Sequence, residues 1–578
     1  MTASSTSSPT GSPVDRRYLD PLRPVEERVR ILLGQMTLEE KAGLLFQTMI
    51  VLGEGGALAG ADGGFGLPST SEMVLERRMT HFNLLGGAQA SAREIAEWHN
   101  RLQELAASTR LGIPVTLSTD PRHSFTDNPG TGSSAAAFSQ WPEPLGLGAI
   151  GDEALVERFG DIARREYLAV GLRVALHPQI DLATESRWAR QVGTFGEDAD
   201  LTGRLGAAYI RGFQGAALGP ESVATMTKHF PGGNAEYHLR PFEKAFEAGT
   251  SQIMPYYGMP VGTEHEEVGF GFNRSVITGL LRERFGFDGV VCTDWGLLTD
   301  ADILGDRHPA RAWGVEHLTV PERMAKALDA GVDQFGGEAI PEVLVQLVRD
   351  GVVEEERLDV SVRRLLREKF VLGLFDARSV DPLRAEEVVG STEFRAAGED
   401  AQRAAVTVLA HDDVLPVRRG ARLYVEGVSP EAAAGYGEVV ESPGEAELAV
   451  IRLQAPFEQR TTAFEGFFHA GSLEFPDEVV AHVLDVAGRV PTIVVVFLDR
   501  PAVLTRFVGS TAALLAEFGA SDEAVLDVLV GGSAPRGRLP MDLPRSMAAA
   551  AARRPDVPFD TVDPLFRFGH GLRIGTAE

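Results

Sequence analysis

One cysteine, Cys292, in 578 residues excludes an intramolecular disulfide and any cysteine-based metal cluster. No window approaches about 18 consecutive apolar residues, so no membrane-spanning helix is expected. The chain lacks a GxxxxGKS or GxxxxGKT loop, a glycine-rich turn after an early strand, and an HExxH pair. Nothing in it therefore points to phosphate cradling or zinc-dependent hydrolysis. His177, His229 and His238 have no spacing suited to a metal site, and neither a metal nor a cofactor is expected. Positive charge is scarce: 55 basic residues stand against 82 acidic ones, a formal net charge of -27. Such a surface repels nucleic acid and anionic membranes and leaves a neutral substrate open. Residues 1–20 are assigned to a disordered tail. Met1 to Pro13 are mostly Ser, Thr, Pro and Gly, without the apolar core of a signal peptide, so the cytoplasm is the simplest location.

Hydrophobic residues make up 44% and charged residues 24%, a globular balance, and the length suggests two or three domains. Between Gly286 and Gly296 a turn launches a short apolar run, Val290 to Cys292, which stops on Thr293, Asp294 and Trp295. β-favouring residues bounded by glycines read as a buried strand. Earlier extended segments end on Asp120, on Asp181, on Lys228-His229 and on Tyr256-Tyr257, with helical segments between them. This alternation implies a parallel sheet with crossover helices. Several polar strand ends favour a barrel, whose loops gather at the carboxyl ends of its strands. Thr37 followed by Glu40 has the spacing of a helix capping box. Past residue 391, extended runs alternate with helical ones again but fewer times, which suits an open α/β sheet. The expected division is a tail over 1–20, a (β/α) barrel over 21–377, a linker over 378–391 and a second α/β unit over 392–578.

Each strand-end residue has a plain structural explanation when taken alone. Asp120 before Pro121 starts a turn, Arg187 and Arg190 pair with Glu197 or Asp198, and Asp294 caps a helix. Together, an Asp, an Arg, a Lys-His and an Asp-Trp at successive strand ends form a polar pocket with one aromatic wall. Carboxylates accept from sugar hydroxyls, and Lys, Arg and His donate to them. The apolar face of a sugar ring packs on an aromatic. A neutral polyol is the expected ligand and glycoside hydrolysis the expected chemistry. That chemistry uses two carboxyl groups; Asp294 is the best placed first one, and the barrel offers no evident second.

At this point the motifs resemble those of glycoside hydrolase family 3. Gln35-Met36-Thr37-Leu38-Glu39-Glu40-Lys41 resembles the family's N-terminal helix signature. Arg187-Trp188-Ala189-Arg190 with Thr194-Phe195-Gly196-Glu197-Asp198 resembles its RWGR…TFGEDP motif, and Lys228-His229-Phe230 its KHF. Asn273 to Trp295 is similar to the segment ending in the catalytic SDW, and Pro564 to Leu572 to the closing motif. The resemblance implies a TIM-barrel-like (β/α)8 domain followed by an α/β sandwich, with the pocket at their junction. It implies a retaining mechanism with Asp294 as nucleophile. It implies that Asp120, Arg190, Lys228, His229 and Tyr257 hold the terminal sugar, with Arg187 and Trp295 beside them. The acid/base transfers to Glu465, in Ala463–His469, with Glu458 second. After Lys228-His229-Phe230-Pro231-Gly232 the chain continues Gly233-Asn234-Ala235, so the histidine of the N-acetylglucosaminidase branch is missing. The fibronectin-like third domain of many relatives is not expected. The expected function is an exo-acting retaining β-glucosidase that releases a terminal non-reducing β-D-glucosyl residue from an oligosaccharide or glycoside. The alternatives are a β-xylosidase, a β-N-acetylglucosaminidase, a glycoside phosphorylase, or a sugar-binding homologue without catalysis. Neither nucleic acid nor membrane is an expected partner, and a homodimer is left open.

Overall fold

Eight short strands organise the first part of the chain. They are β1 (Phe46–Val51), β2 (His81–Leu85), β3 (Thr116–Thr119), β4 (Leu172–Ala175), β5 (Ala224–Phe230), β6 (Gln252–Pro255), β7 (Val290–Val291) and β8 (Phe335–Gly336). The computed structural model describes residues 14–233 and 236–574. Neighbouring strands pair in parallel in the order β8-β1-β2-β3-β4-β5-β6-β7. The two ends of that order meet: Cys292 bridges Gln334 in parallel, and the Thr293 N–H donates to the Gln334 carbonyl at 2.9 Å. The curled sheet is the expected (β/α) barrel. Its strands are buried on both faces because helices cover the outside, and β5 is buried at every position. Cys292 lies in an apolar cluster with Val174, Met226 and Met254, where burial pushes its thiol well above the usual range.

Helices start where the sequence offers a cap. Thr37 and Glu40 close the expected capping box on Leu38–Leu44, and Ser91 with Glu94 does the same for Ala92–Ala107. Such a cap typically contributes about 1 kcal/mol. The second part carries a six-stranded sheet: β9 (Thr407–His411), β10 (Arg422–Glu426), β11 (Glu438–Val439), β12 (Leu448–Gln454), β13 (Thr492–Phe497) and β14 (Ala513–Glu517). Its order is β9-β14-β13-β12-β10-β11, with only β9 antiparallel to its neighbour. Alternate residues face opposite sides. Ala449, Ile451, Val494 and Val496 enter one apolar cluster, while Leu448, Val450, Ile493 and Val495 enter the other. The open sheet with a packed core on each face is the expected α/β sandwich.

The structure corrects several details. Residues 1–13 of the expected tail lie outside the described residues, but Arg16–Leu19 forms a 3-10 turn. Its Tyr18 is buried and donates its hydroxyl to the Leu111 carbonyl at 2.7 Å. The expected linker holds a helix, Pro382–Val388, whose Ala385 joins the barrel core. β1, β2, β9, β11 and β14 were not read from the sequence. Glu197 pairs with neither Arg187 nor Arg190. It is buried against the guanidinium of Arg553 and accepts from the backbone N–H groups of Asp542 and Phe559 at 2.6 and 2.8 Å. That contact straps the C-terminal segment to the barrel.

Candidate active site

The carboxyl ends of β3, β5 and β7 bring three charged groups to one place. Lys228, on β5, donates from Nζ to Asp120 Oδ1 at 3.0 Å, and Asn83, on β2, donates from Nδ2 to Asp120 Oδ2 at 3.2 Å. Asp120 follows β3 directly, and its two oxygens are held from the adjacent strand β2 and from β5, two strands away. Beside them Arg190 donates to Gln179 Oε1 at 3.3 Å, and its Nε is buried without a partner.

Asp294 follows β7. Its Oδ1 accepts from the Trp295 N–H at 2.8 Å. Its Oδ2 is buried, has no hydrogen-bond partner, and faces His229 Nε2 at 3.7 Å. The other ring nitrogen of His229, Nδ1, lies 2.7 Å from Asp181 Oδ2. Burial lowers the His229 pKa, which favours the neutral ring, and the Asp181 carboxylate opposes that shift only in part. With Nδ1–H donated to Asp181, two acceptor atoms face each other with no donor between them. One carboxylate oxygen is therefore fixed and the other is open, the arrangement a nucleophilic carboxylate requires.

The backbone behind Asp294 is pinned. Tyr257 donates its hydroxyl to the Trp295 carbonyl at 2.7 Å, and Arg311 donates to the same carbonyl at 3.1 Å. Arg311 also lies over the Tyr257 ring, 4.9 Å from its centroid. Burial, together with the Asp294 charge, pushes the Tyr257 phenol well above its usual range, so it stays a donor.

These groups line a cavity of about 290 Å³ containing Asp120, Arg190, Lys228, Tyr257, Asp294 and Trp295, with Phe464 and Phe468 from the second part of the chain. A second cavity of about 280 Å³ adjoins it, sharing Arg190, Lys228 and Phe468. The 456–470 loop is seated on the barrel at defined points. Asn128 donates to the Phe467 carbonyl at 2.8 Å, and the His308 and Phe464 rings meet edge-on at 5.4 Å. Gly130 lies beneath: a Cβ there would stand 3.1 Å from Phe468 and 3.2 Å from Phe464.

Of the sequence-predicted residues, Asp120, Arg190, Lys228, Tyr257, Asp294 and Trp295 line the first cavity, and His229 supports it from behind. Arg187 does not reach it. Its side chain is exposed and pairs with Glu185 at 3.0 Å. Glu465 is exposed too and lines neither cavity. The cause lies in its neighbours: Phe464 turns inward and is 8% exposed, and the 3-10 turn Glu465–Phe467 then carries the glutamate outward. Glu458 is exposed and accepts from the Ser472 N–H at 3.1 Å. Asn83, Gln179, Asp181 and Arg311 were not predicted. Asp181 and Gln179 sit at the end of an extended run that the sequence showed. Arg311 arrives on an irregular loop and left no local signal.

Two family models match the chain, the glycosyl hydrolase family 3 N-terminal domain over residues 68–239 and the C-terminal domain over residues 189–574. The chain belongs to glycoside hydrolase family 3. This family 3 protein is 50% identical to the probable β-glucosidase C of Aspergillus flavus, over 98% of this chain and 94% of that one. It is 41% identical to the periplasmic β-glucosidase/β-xylosidase of Dickeya chrysanthemi, over 96% of this chain and 91% of that one. Among solved structures, a β-glucosidase from Erythrobacter marinus superposes with a TM-score of 0.79 at 21% identity, covering 96% of this chain and 84% of that one. An exo-1,3/1,4-β-glucanase variant from Pseudoalteromonas superposes with a TM-score of 0.74 at 21% identity, covering 96% of both chains. The family 3 fold and the cavity at the junction of its two parts agree with the resemblance, and the protein is a glycoside hydrolase. The departure from the N-acetylglucosaminidase motif falls on Gly233, Asn234 and Ala235, of which the last two lie outside the described residues.

Proposed function

We propose that this glycoside hydrolase is an exo-acting, retaining β-glucosidase with Asp294 as its nucleophile. The observation that carries the reading is the Asp294 carboxylate, one oxygen held by the Trp295 N–H and the other buried and unpartnered in the cavity. Asp120, Lys228 and Arg190 supply the acceptors and donors that a sugar's hydroxyls need, and Trp295 supplies an apolar wall. In the first step Asp294 Oδ2 bonds to C1, the C1–O bond to the aglycone breaks, and the departing oxygen takes a proton. In the second, water attacks C1, gives up a proton and releases Asp294. Two inversions at C1 return the β anomer. The near-full-length likeness to proteins named β-glucosidases supports glucose as the sugar released.

Proton NMR of p-nitrophenyl β-glucoside hydrolysis tests the reading. β-Glucose is expected to appear first, and Asp294→Ala is expected to lose on the order of 10³-fold or more in kcat. First appearance of α-glucose would refute retention, and full activity in Asp294→Ala would refute the nucleophile. Acceleration by phosphate with release of a sugar phosphate would assign a phosphorylase instead.

A further inference from the structure

We propose that His469, oriented by Asp499, is the proton donor of this reaction; the proposal rests on the retaining reading above. Asp499 stands just past the carboxyl end of β13, and His469 lies on the loop that follows β12. His469 Nδ1 makes a short contact with Asp499 Oδ2, and Gln454 Nε2 lies 3.3 Å from the same nitrogen. The imidazole stacks on Phe457, with 3.7 Å between ring centroids and 9° between planes. These contacts fix the ring's position and plane. Nε2 is left without a protein partner among the described residues.

His469 and Asp499 line the second cavity, whose walls Arg190 and Lys228 also line the cavity of Asp294. Phe468, next to His469 in the chain, faces both. Two of the carboxyl groups nearby are engaged elsewhere. Asp120 has both oxygens bonded, and Glu143 takes three donors on Oε1. Glu465 and Glu458 line neither cavity.

The chemistry balances. Asp499 as carboxylate accepts Nδ1–H and stabilises the imidazolium. Nε2–H passes to the glycosidic oxygen as C1–O breaks and the C1–Asp294 bond forms. The neutral imidazole then takes a proton from the water that attacks C1, and the Asp294 ester breaks to carboxylate. General acid catalysis of this kind contributes roughly 10²–10⁴-fold. The other titratable or charged groups facing this cavity are Asp127, Glu143, His177, Arg190, Tyr209 and Lys228.

The test compares His469→Gln, Asp499→Asn, Glu465→Gln and Glu458→Gln on methyl, p-nitrophenyl and 2,4-dinitrophenyl β-glucosides. His469→Gln is expected to lose about 10²–10⁴-fold in kcat/KM on the methyl glucoside, whose leaving oxygen needs the proton. It should lose far less on the dinitrophenyl glucoside, and that remaining turnover also reports a folded protein. Azide should restore turnover and yield β-glucosyl azide. The basic limb of the wild-type pH profile should vanish in His469→Gln. In Asp499→Asn that limb should move to lower pH, with kcat falling and KM held. An equal loss on all three substrates, or the leaving-group signature appearing in Glu465→Gln or Glu458→Gln, overturns the proposal. Failure of the retaining reading shows separately, in the first-formed anomer and in Asp294→Ala.

Discussion

Glu143 offers a stability prediction that follows from burial alone. It is 2% exposed, just before the helix Pro144–Ile150, and it walls the second cavity. Its Oε1 accepts from the Phe125 N–H at 3.0 Å, the Thr126 N–H at 2.8 Å and the Thr126 hydroxyl at 2.9 Å. Its own N–H donates to the Phe518 carbonyl at 2.8 Å, across to the second part of the chain. Desolvation nevertheless outweighs those donors and raises its pKa from 4.5 to about 7. A carboxyl whose folded-state pKa is raised holds its proton more tightly folded than unfolded. Its penalty is absent below pH 4.5, grows between pH 4.5 and 7, and is complete above. At 1.36 kcal/mol per pKa unit the full penalty is about 3 kcal/mol, of which about 2–3 kcal/mol develops between pH 5 and 8.5. In Glu143→Gln the amide oxygen keeps the three donors and nothing titrates. Urea unfolding of both proteins at pH 5 and pH 8.5 measures the difference. The variant is expected to gain about 2–3 kcal/mol on the wild type between the two pH values. Parallel pH dependences would refute the claim that desolvation governs this carboxyl.

The other predictions concern the cavity. Arg190→Ala removes a charged donor from it, and charge-assisted bonds are worth about 1.5–3 kcal/mol, so kcat/KM should fall roughly 10–150-fold. Arg187→Ala, on an exposed pair, should leave kinetics unchanged and stability within about 0.5 kcal/mol; equal effects of the two would refute the placement of Arg187. Lys228 is 4% exposed, so Lys228→Met leaves Asp120 without its cation and should cost about 3–5 kcal/mol in urea unfolding. Adding Asp120→Asn should recover part of that stability but none of the activity, a non-additivity read by a double-mutant cycle. Gly130→Val should push Phe464 and Phe468 off their seat and raise KM for aryl glucosides several-fold, because even a Cβ there stands 3.1 Å from Phe468; an unchanged KM would refute the idea that this loop shapes the aglycone side.

The barrel was legible because its signal is local. A buried parallel strand is a short β-favouring run between breakers, and a helix cap is a pair three residues apart, so β3 to β7 and the Thr37 box could be read directly. β1 and β2 escaped because their runs, with Gln47, His81 and Asn83 inside, carry polar residues. All three side chains are buried, and the barrel interior gives two of them partners: Gln47 donates to Ser118 at 2.7 Å, and Asn83 to Asp120. Polarity that marks a surface in a lone segment marks an interior site in a closed barrel. Arg16–Leu19 was missed for the opposite reason. Nothing in four polar-leaning residues announces that Tyr18 finds a pocket 93 residues away along the chain.

The same distinction divides the site. That Asp120, Lys228 and Asp294 share a cavity was legible because each stands at the end of its own strand, and a strand end fixes position within a residue or two. That Glu465 points away from both cavities was not legible, because its loop belongs to another part of the chain and no rule of spacing tells which way a loop residue points. Phe464 and Glu465 competed for one inward position, and burying a phenyl ring is favourable by about 1.5–3 kcal/mol while burying an unpaired carboxylate is costly. The contacts that decide the matter, Gly130 against Phe468 and Asn128 to Phe467, come from residues over 300 positions earlier. Asp499 was nearer to being readable. It ends the predicted strand Pro491–Leu498 as Asp294 ends its own, and extending the strand-end rule from the barrel to the second sheet would have singled it out. The barrel's side of the cavity is therefore written in periodicity, and the opposite wall in the docking of one part of the chain on the other.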